Sequence, residues 1–142
     1  MDAAPLEIST RDDGIAVLAV HGSGTVAATR RAVRAALIDV QHAGHRRVVI
    51  DVRAATGLGN PGVIERMDTV REWAQIAVPG LSLAFVALAD FLDEDRIGMI
   101  VANRLGLNAQ VFCCREEAVD WLTRQKAFRV ADVDDALALQ RD

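Results

Sequence analysis

Four short apolar runs, residues 15–20, 48–52, 81–89 and 109–113, recur along the chain with helical-period segments between them, and this alternation constrains the fold more than any other feature. The second run, Val48-Val49-Ile50-Asp51-Val52, is β-branched and apolar on both sides, as a strand covered on both faces must be. Ahead of the first run, Leu6–Thr10 alternates apolar with polar, and Asp12-Asp13-Gly14 supplies a turn, which together predict a hairpin. Over residues 25–42, Val26, Val33, Leu37 and Val40 share one helical face, with Thr25 as the cap and Gly44 as the stop. A second helix is predicted over about residues 62–77 on the stripe Val63, Met67, Val70, Ala74 and Ala77, and Pro79-Gly80 breaks it. A third follows Asp90, its early acids Asp93, Glu94 and Asp95 suiting the positive end of the dipole and Ile97, Ile100, Val101 and Leu105 facing inward. Residues 115–125 predict a fourth, with Ala118, Trp121 and Leu122 inward. Strands alternating with helices imply an α/β domain: a mostly parallel mixed sheet with an N-terminal hairpin and helices packed on it.

Composition enters where it excludes function classes. A chain of 142 residues fits one domain, expected over residues 1–126, with residues 127–142 as a tail carrying a short helix around 132–139. The longest apolar stretch, residues 83–89, falls far short of the roughly 20 residues of a membrane span, and the N-terminus lacks a signal-peptide pattern. The only cysteines, Cys113 and Cys114, are adjacent, so no disulfide framework is expected. A cytoplasmic protein is the expectation. A net charge of -4 and a pI near 5.3 argue against nucleic-acid binding, which needs a basic footprint.

Gly57-Leu58-Gly59-Asn60-Pro61-Gly62 fits the G-x-G-x-x-G pattern of a dinucleotide turn, and a strand-like run precedes it. Four features speak against a phosphate cradle. The predicted strand ends at Val52, several residues before Gly57, and the acid at the tip of the next strand, Asp90, lies 90 - 57 = 33 positions on instead of about 20. Pro61 lacks the N–H that a pyrophosphate would use, and no Lys-Ser or Lys-Thr follows to make a P-loop. No nucleotide or other cofactor is therefore expected, and the glycines are read as turning the chain into the next helix.

The element order, the strand at residues 48–52, the following Thr56-Gly57-Leu58-Gly59 and the ending Val111-Phe112-Cys113-Cys114-Arg115-Glu116-Glu117-Ala118-Val119-Asp120-Trp121-Leu122 together resemble the SpoIIAA-like branch of the STAS superfamily, over roughly residues 6–122. That superfamily contains anti-sigma-factor antagonists, in which an Asp-Ser-Ser-Gly-Leu motif carries a phosphorylated serine at a helix N-terminus. The resemblance implies that Thr56, the hydroxyl before Gly57-Leu58, is the phosphoacceptor position, although Ala55 stands where the neighbouring serine would be. It further implies a non-catalytic regulatory module that contacts a protein partner, or a second copy of itself, through Arg53, Thr56, Gly57, Leu58, Gly59 and Asn60.

Other candidates read more simply as structure. His21 and Ser23 form no Ser-His-Asp arrangement, and His42 and His45 lack companions at metal spacing, so neither a catalytic nor a metal site is expected. Cys113 and Cys114 are expected to be buried at a strand end, and Arg30, Arg31 and Arg34 to form a solvated basic face. A different class of function, carriage or sensing of a small apolar ligand, requires a deep apolar cavity, expected beside Met67 and Trp73.

Overall fold

Residues 3–58 and 62–125 are described by a computed structural model, and its first element is the hairpin that the alternation predicts. β1 (Leu6–Thr10) runs antiparallel to β2 (Ala16–Ser23), Leu6 opposite Val20 and Thr10 opposite Ala16. The chain continues as α1 (Val26–His42), β3 (Arg47–Thr56), α2 (Val63–Ile76), β4 (Ser82–Val86), α3 (Ala89–Arg104), β5 (Asn108–Phe112) and α4 (Arg115–Arg124). The five strands form one sheet in chain order, with every pair from β2 to β5 parallel.

That order positions the helices. Right-handed crossovers stepping in one direction across a sheet place their helices on one face. Val33, Leu37 and Val40 of α1, Val70 and Trp73 of α2, and Met99 and Ala102 of α3 accordingly pack with Leu18, Val48, Ile50 and Leu83. The alternate side chains Ile15, Val17, Val49, Ala84 and Val86 face the other way, onto Ala118, Val119 and Leu122 of α4. A strand buried on both faces must be apolar at consecutive positions, which is why residues 48–50 read as an unbroken run.

Several boundaries and faces depart from the sequence expectation. β2 and β3 run three and four residues further than their apolar runs, because their parallel pairing continues through His21 with Ala54, Gly22 with Ala55 and Ser23 with Thr56. β4 stops at Val86 instead of residue 89. In α2 the buried positions are Arg66, Val70 and Trp73, with Met67 half-buried. In α3, Ile100 and Leu105 are 58% and 51% exposed, while Met99 and Ala102 are buried. Met99 and Ala102 pack into the core beside Val70 and Trp73 of α2, and a Cβ at Gly98 would be in ordinary contact with Val70 Cγ2 at 3.5 Å. The tail at residues 127–142, with its expected short helix, lies outside the described residues, as do Gly59, Asn60 and Pro61.

Candidate partner-contact surface at the strand ends

The extended β2 and β3 carry the expected site residues. Between Ala19 and His21 the register shifts, so β3 has one more residue than β2 at this point. Such a bulge re-aims the side chains around it. Asp51, Arg53, Ala54 and, two residues on, Thr56 all fall on the face that carries α4. Leu58 turns to the opposite face, where it lines a cavity between α1 and α2. The expected contact loop is thus divided by the sheet edge, and Arg53 to Thr56 belong to a strand.

Asp51 organises the α4 side. It is 4% exposed, and Arg53 grips it with Nε to Oδ1 at 3.1 Å and Nη2 to Oδ2 at 2.8 Å, while the Arg53 backbone N–H donates to Oδ1 at 3.1 Å. Arg115, the first residue of α4, adds Nε and Nη2 donors to Oδ2 at 3.1 and 2.9 Å. Burial pushes the Asp51 pKa up, but the bonds from Arg53 and Arg115 outweigh it and hold the carboxyl below its ordinary value. A cation at a helix N-terminus opposes the dipole, and Asp51 offsets this by fastening the start of α4 to β3. One carboxylate shared by two guanidinium groups leaves these three side chains net positive, next to the exposed acids Glu116 and Glu117 in the first turn of α4. A concavity of about 270 Å³ opens here, bounded by Ala19, His21, Asp51, Arg53, Ala54 and Arg115.

At the rim, Ser23 and Thr56 are register partners and both exposed, which sets two hydroxyls side by side. Gly57 follows at φ 77, and a Cβ there would stand 3.0 Å from Ser23 Oγ. Gly24 meets a tighter limit, because a Cβ would overlap the backbone of Ala3 and Ala4. The cap of α2 is Gly62, with no side-chain capping bond, so Thr56 closes β3 instead of capping the helix.

The strand extension corrects one argument about the glycine loop: Gly57 follows the end of β3 directly. Topology supplies a stronger one, because dinucleotides bind where strand order reverses, and an order of β1-β2-β3-β4-β5 has no reversal. Cys113 is exposed and Cys114 half-buried, because β5 ends at Phe112, ahead of both. Arg30 and Arg34 are paired with Glu72 of α2 at 3.0 and 3.2 Å instead of lying free in solvent. His45 Nδ1 lies 2.9 Å from Gly14 O. Among the described residues no group of three or more His, Cys, Asp or Glu could hold a metal ion. Sequence reading missed Asp51 and Arg115 as site residues, and the one available signal was an acid inside an otherwise apolar run.

No family model and no curated protein matches the chain. Among solved structures, an anti-sigma factor antagonist from Mycobacterium paratuberculosis aligns over 85% of this chain and 98% of its own, at 17% identity and a TM-score of 0.57. The two chains share a fold. An uncharacterised DUF3478-family protein with a SpoIIAA-like fold, from Shewanella loihica PV-4, aligns over 86% of this chain and 95% of its own, at 16% identity and a TM-score of 0.49. The ends of β2 and β3 form the exposed corner where α1 and α2 connect to the sheet.

Proposed function

We propose that the chain is a non-catalytic cytoplasmic regulatory module that docks a protein partner on the ends of β2 and β3, with Thr56 as its switch. The observation that carries this reading is the exposed Ser23–Thr56 hydroxyl pair on the same face as the net-positive Asp51–Arg53–Arg115 cluster, in a fold shared with an anti-sigma factor antagonist. Phosphorylation of Thr56 would add close to -2 charges there. Arg53 and Arg115 supply the cations of that cluster, so modification would redistribute the bonds now made to Asp51 and change the surface offered to a partner. A second copy of the chain is the competing occupant of this surface.

The test compares wild type, Thr56→Ala and Thr56→Glu as baits in quantitative affinity capture, with sedimentation of each protein measured first to detect self-association. Thr56→Glu is expected to change capture of at least one protein about tenfold while Tm moves by less than about 3 °C. Equal capture by all three proteins removes the switch. No helix among the described residues is long and apolar enough to cross a membrane.

A further inference from the structure

On the opposite face from the partner-contact surface, a partly open cavity of about 120 Å³ lies over the sheet between α1 and α2. The two helices are tied where α1 ends, by Gln41 to Ile76 O and Val78 N–H, and again by Glu72 to Arg30 and Arg34. The cavity extends from there toward their first turns, where Val26 and Glu65 line it beside Leu58. Val26 of α1, Val52 of β3, Leu58 of the turn after β3 and Phe85 of β4 are half-buried and give it an apolar wall that solvent reaches. The buried Val70, Trp73 and Met99 also line it. The sequence expectation of a cavity beside Trp73 therefore holds, although Met67 is not part of its lining.

The polar side chains of the lining have their partners within the protein. Thr29 Oγ1 accepts from Ala4 N–H at 3.0 Å, Thr69 Oγ1 donates to Glu65 O at 2.8 Å, Arg30 Nη2 is bonded to Glu72 at 3.0 Å, and Arg66 has a partner as well. Trp73 Nε1 and Arg30 Nε make no hydrogen bond, but both are sealed from solvent and cannot serve a ligand that enters from outside. A polar ligand would therefore give up water without gaining hydrogen bonds in return. Charge is disfavoured in both signs, since an anion meets the exposed Glu65 carboxylate and a cation meets Arg30. An engineered apolar cavity of about 150 Å³ takes a benzene ring, so a partly open one of this size suits a body of about one ring.

We propose that this cavity is a binding site for an uncharged apolar molecule of about one six-membered ring, held against Val26, Val52, Leu58 and Phe85. The site is separate from the strand-end surface and does not depend on modification of Thr56. The test is titration of the ¹⁵N-labelled protein with toluene, and with phenylacetate and benzylamine as its anionic and cationic counterparts. Toluene should shift the amides of Val52, Leu58 and Phe85 saturably, with a Kd of about 1 mM or tighter, and leave those of Ala118 and Leu122 on the other face of the sheet unmoved. Each charged compound should bind about tenfold or more weakly than toluene. Val52→Phe sets a ring of the protein's own on the cavity side of β3 and should remove the saturable toluene shift, with Tm within about 3 °C of wild type as the check that it folds. Shifts that stay linear up to the solubility of toluene, saturable shifts confined to residues outside the cavity, or either charged compound binding as tightly as toluene would each overturn the site. Toluene binding to folded Val52→Phe as it does to wild type would overturn it too.

Discussion

Asp51 shows what a single residue decides here. Its carboxylate is buried, which by itself would favour the neutral acid, yet five hydrogen bonds from Arg53 and Arg115 keep it ionised. A folded pKa below the ordinary 3.8 gives stability that is fully present above that value and lost as pH falls through the folded pKa. Asp51→Asn should cost about 1–3 kcal/mol near pH 7, less than a fully buried pair, because Arg53 and Arg115 are half-exposed and can turn to water. In urea denaturation the gap between wild type and variant should narrow as pH drops below about 3.8. At the rim, Gly57→Ala should cost about 1 kcal/mol or more, because φ 77 is reached easily only without a Cβ and Ser23 Oγ stands in its way. Thr56→Ala at the neighbouring position keeps every backbone option and serves as the control, with an expected loss below about 1 kcal/mol in the same denaturation series. A turn glycine at residue 57 was legible in the sequence. The Asp51–Arg115 pair was not, since 64 residues separate its members and no local spacing rule connects them.

Between elements, the bonds that matter most are the ones a buried side chain cannot replace with water. Gln41, 5% exposed at the end of α1, donates to Leu37 O and Ile76 O and accepts from Val78 N–H at 2.8 Å, joining α1 to the exit of α2. Gln41→Leu keeps the volume but strands Val78 N–H and Ile76 O, and should destabilise by about 2 kcal/mol in thermal or urea melts. The Glu72 clasp on Arg30 and Arg34 ties the same two helices at a wetter position, so Glu72→Gln should cost about 1 kcal/mol or less in those melts. Helix positions were readable from the caps and the period: Thr25 accepts from Ala28 N–H at 3.2 Å as its place before the run requires. The inward face of α3 was not readable, because Met99, Ile100, Val101, Ala102 and Leu105 make it apolar nearly all round. A pattern without a polar side does not choose a face, and the packing of Met99 and Ala102 with Val70 and Trp73 of α2 does.

At the scale of the whole molecule, stability should be graded across the sheet. β3 lies between two parallel neighbours with cover on both faces, whereas β1 is an edge strand with four of its five residues exposed. Native-state hydrogen exchange should therefore be slowest at the amides of Val48, Val49 and Ile50 and orders of magnitude faster in β1, and comparable protection in the two strands would contradict this packing. The class of fold was determined by the sequence alone: β-branched runs that are apolar on both sides can be satisfied only inside a covered sheet, and the helical segments between them make that sheet parallel. Local chemistry likewise set the hairpin turn and the cap of α1, since each depends on residues within a few positions of one another. The bulge opposite Val20, the charged cluster on Asp51 and the cavity at Trp73 were decided by tertiary structure. Each arises where separate elements meet, and the distances across those meetings depend on how the helices settle on a twisted sheet, a balance of packing that no periodicity in one segment encodes.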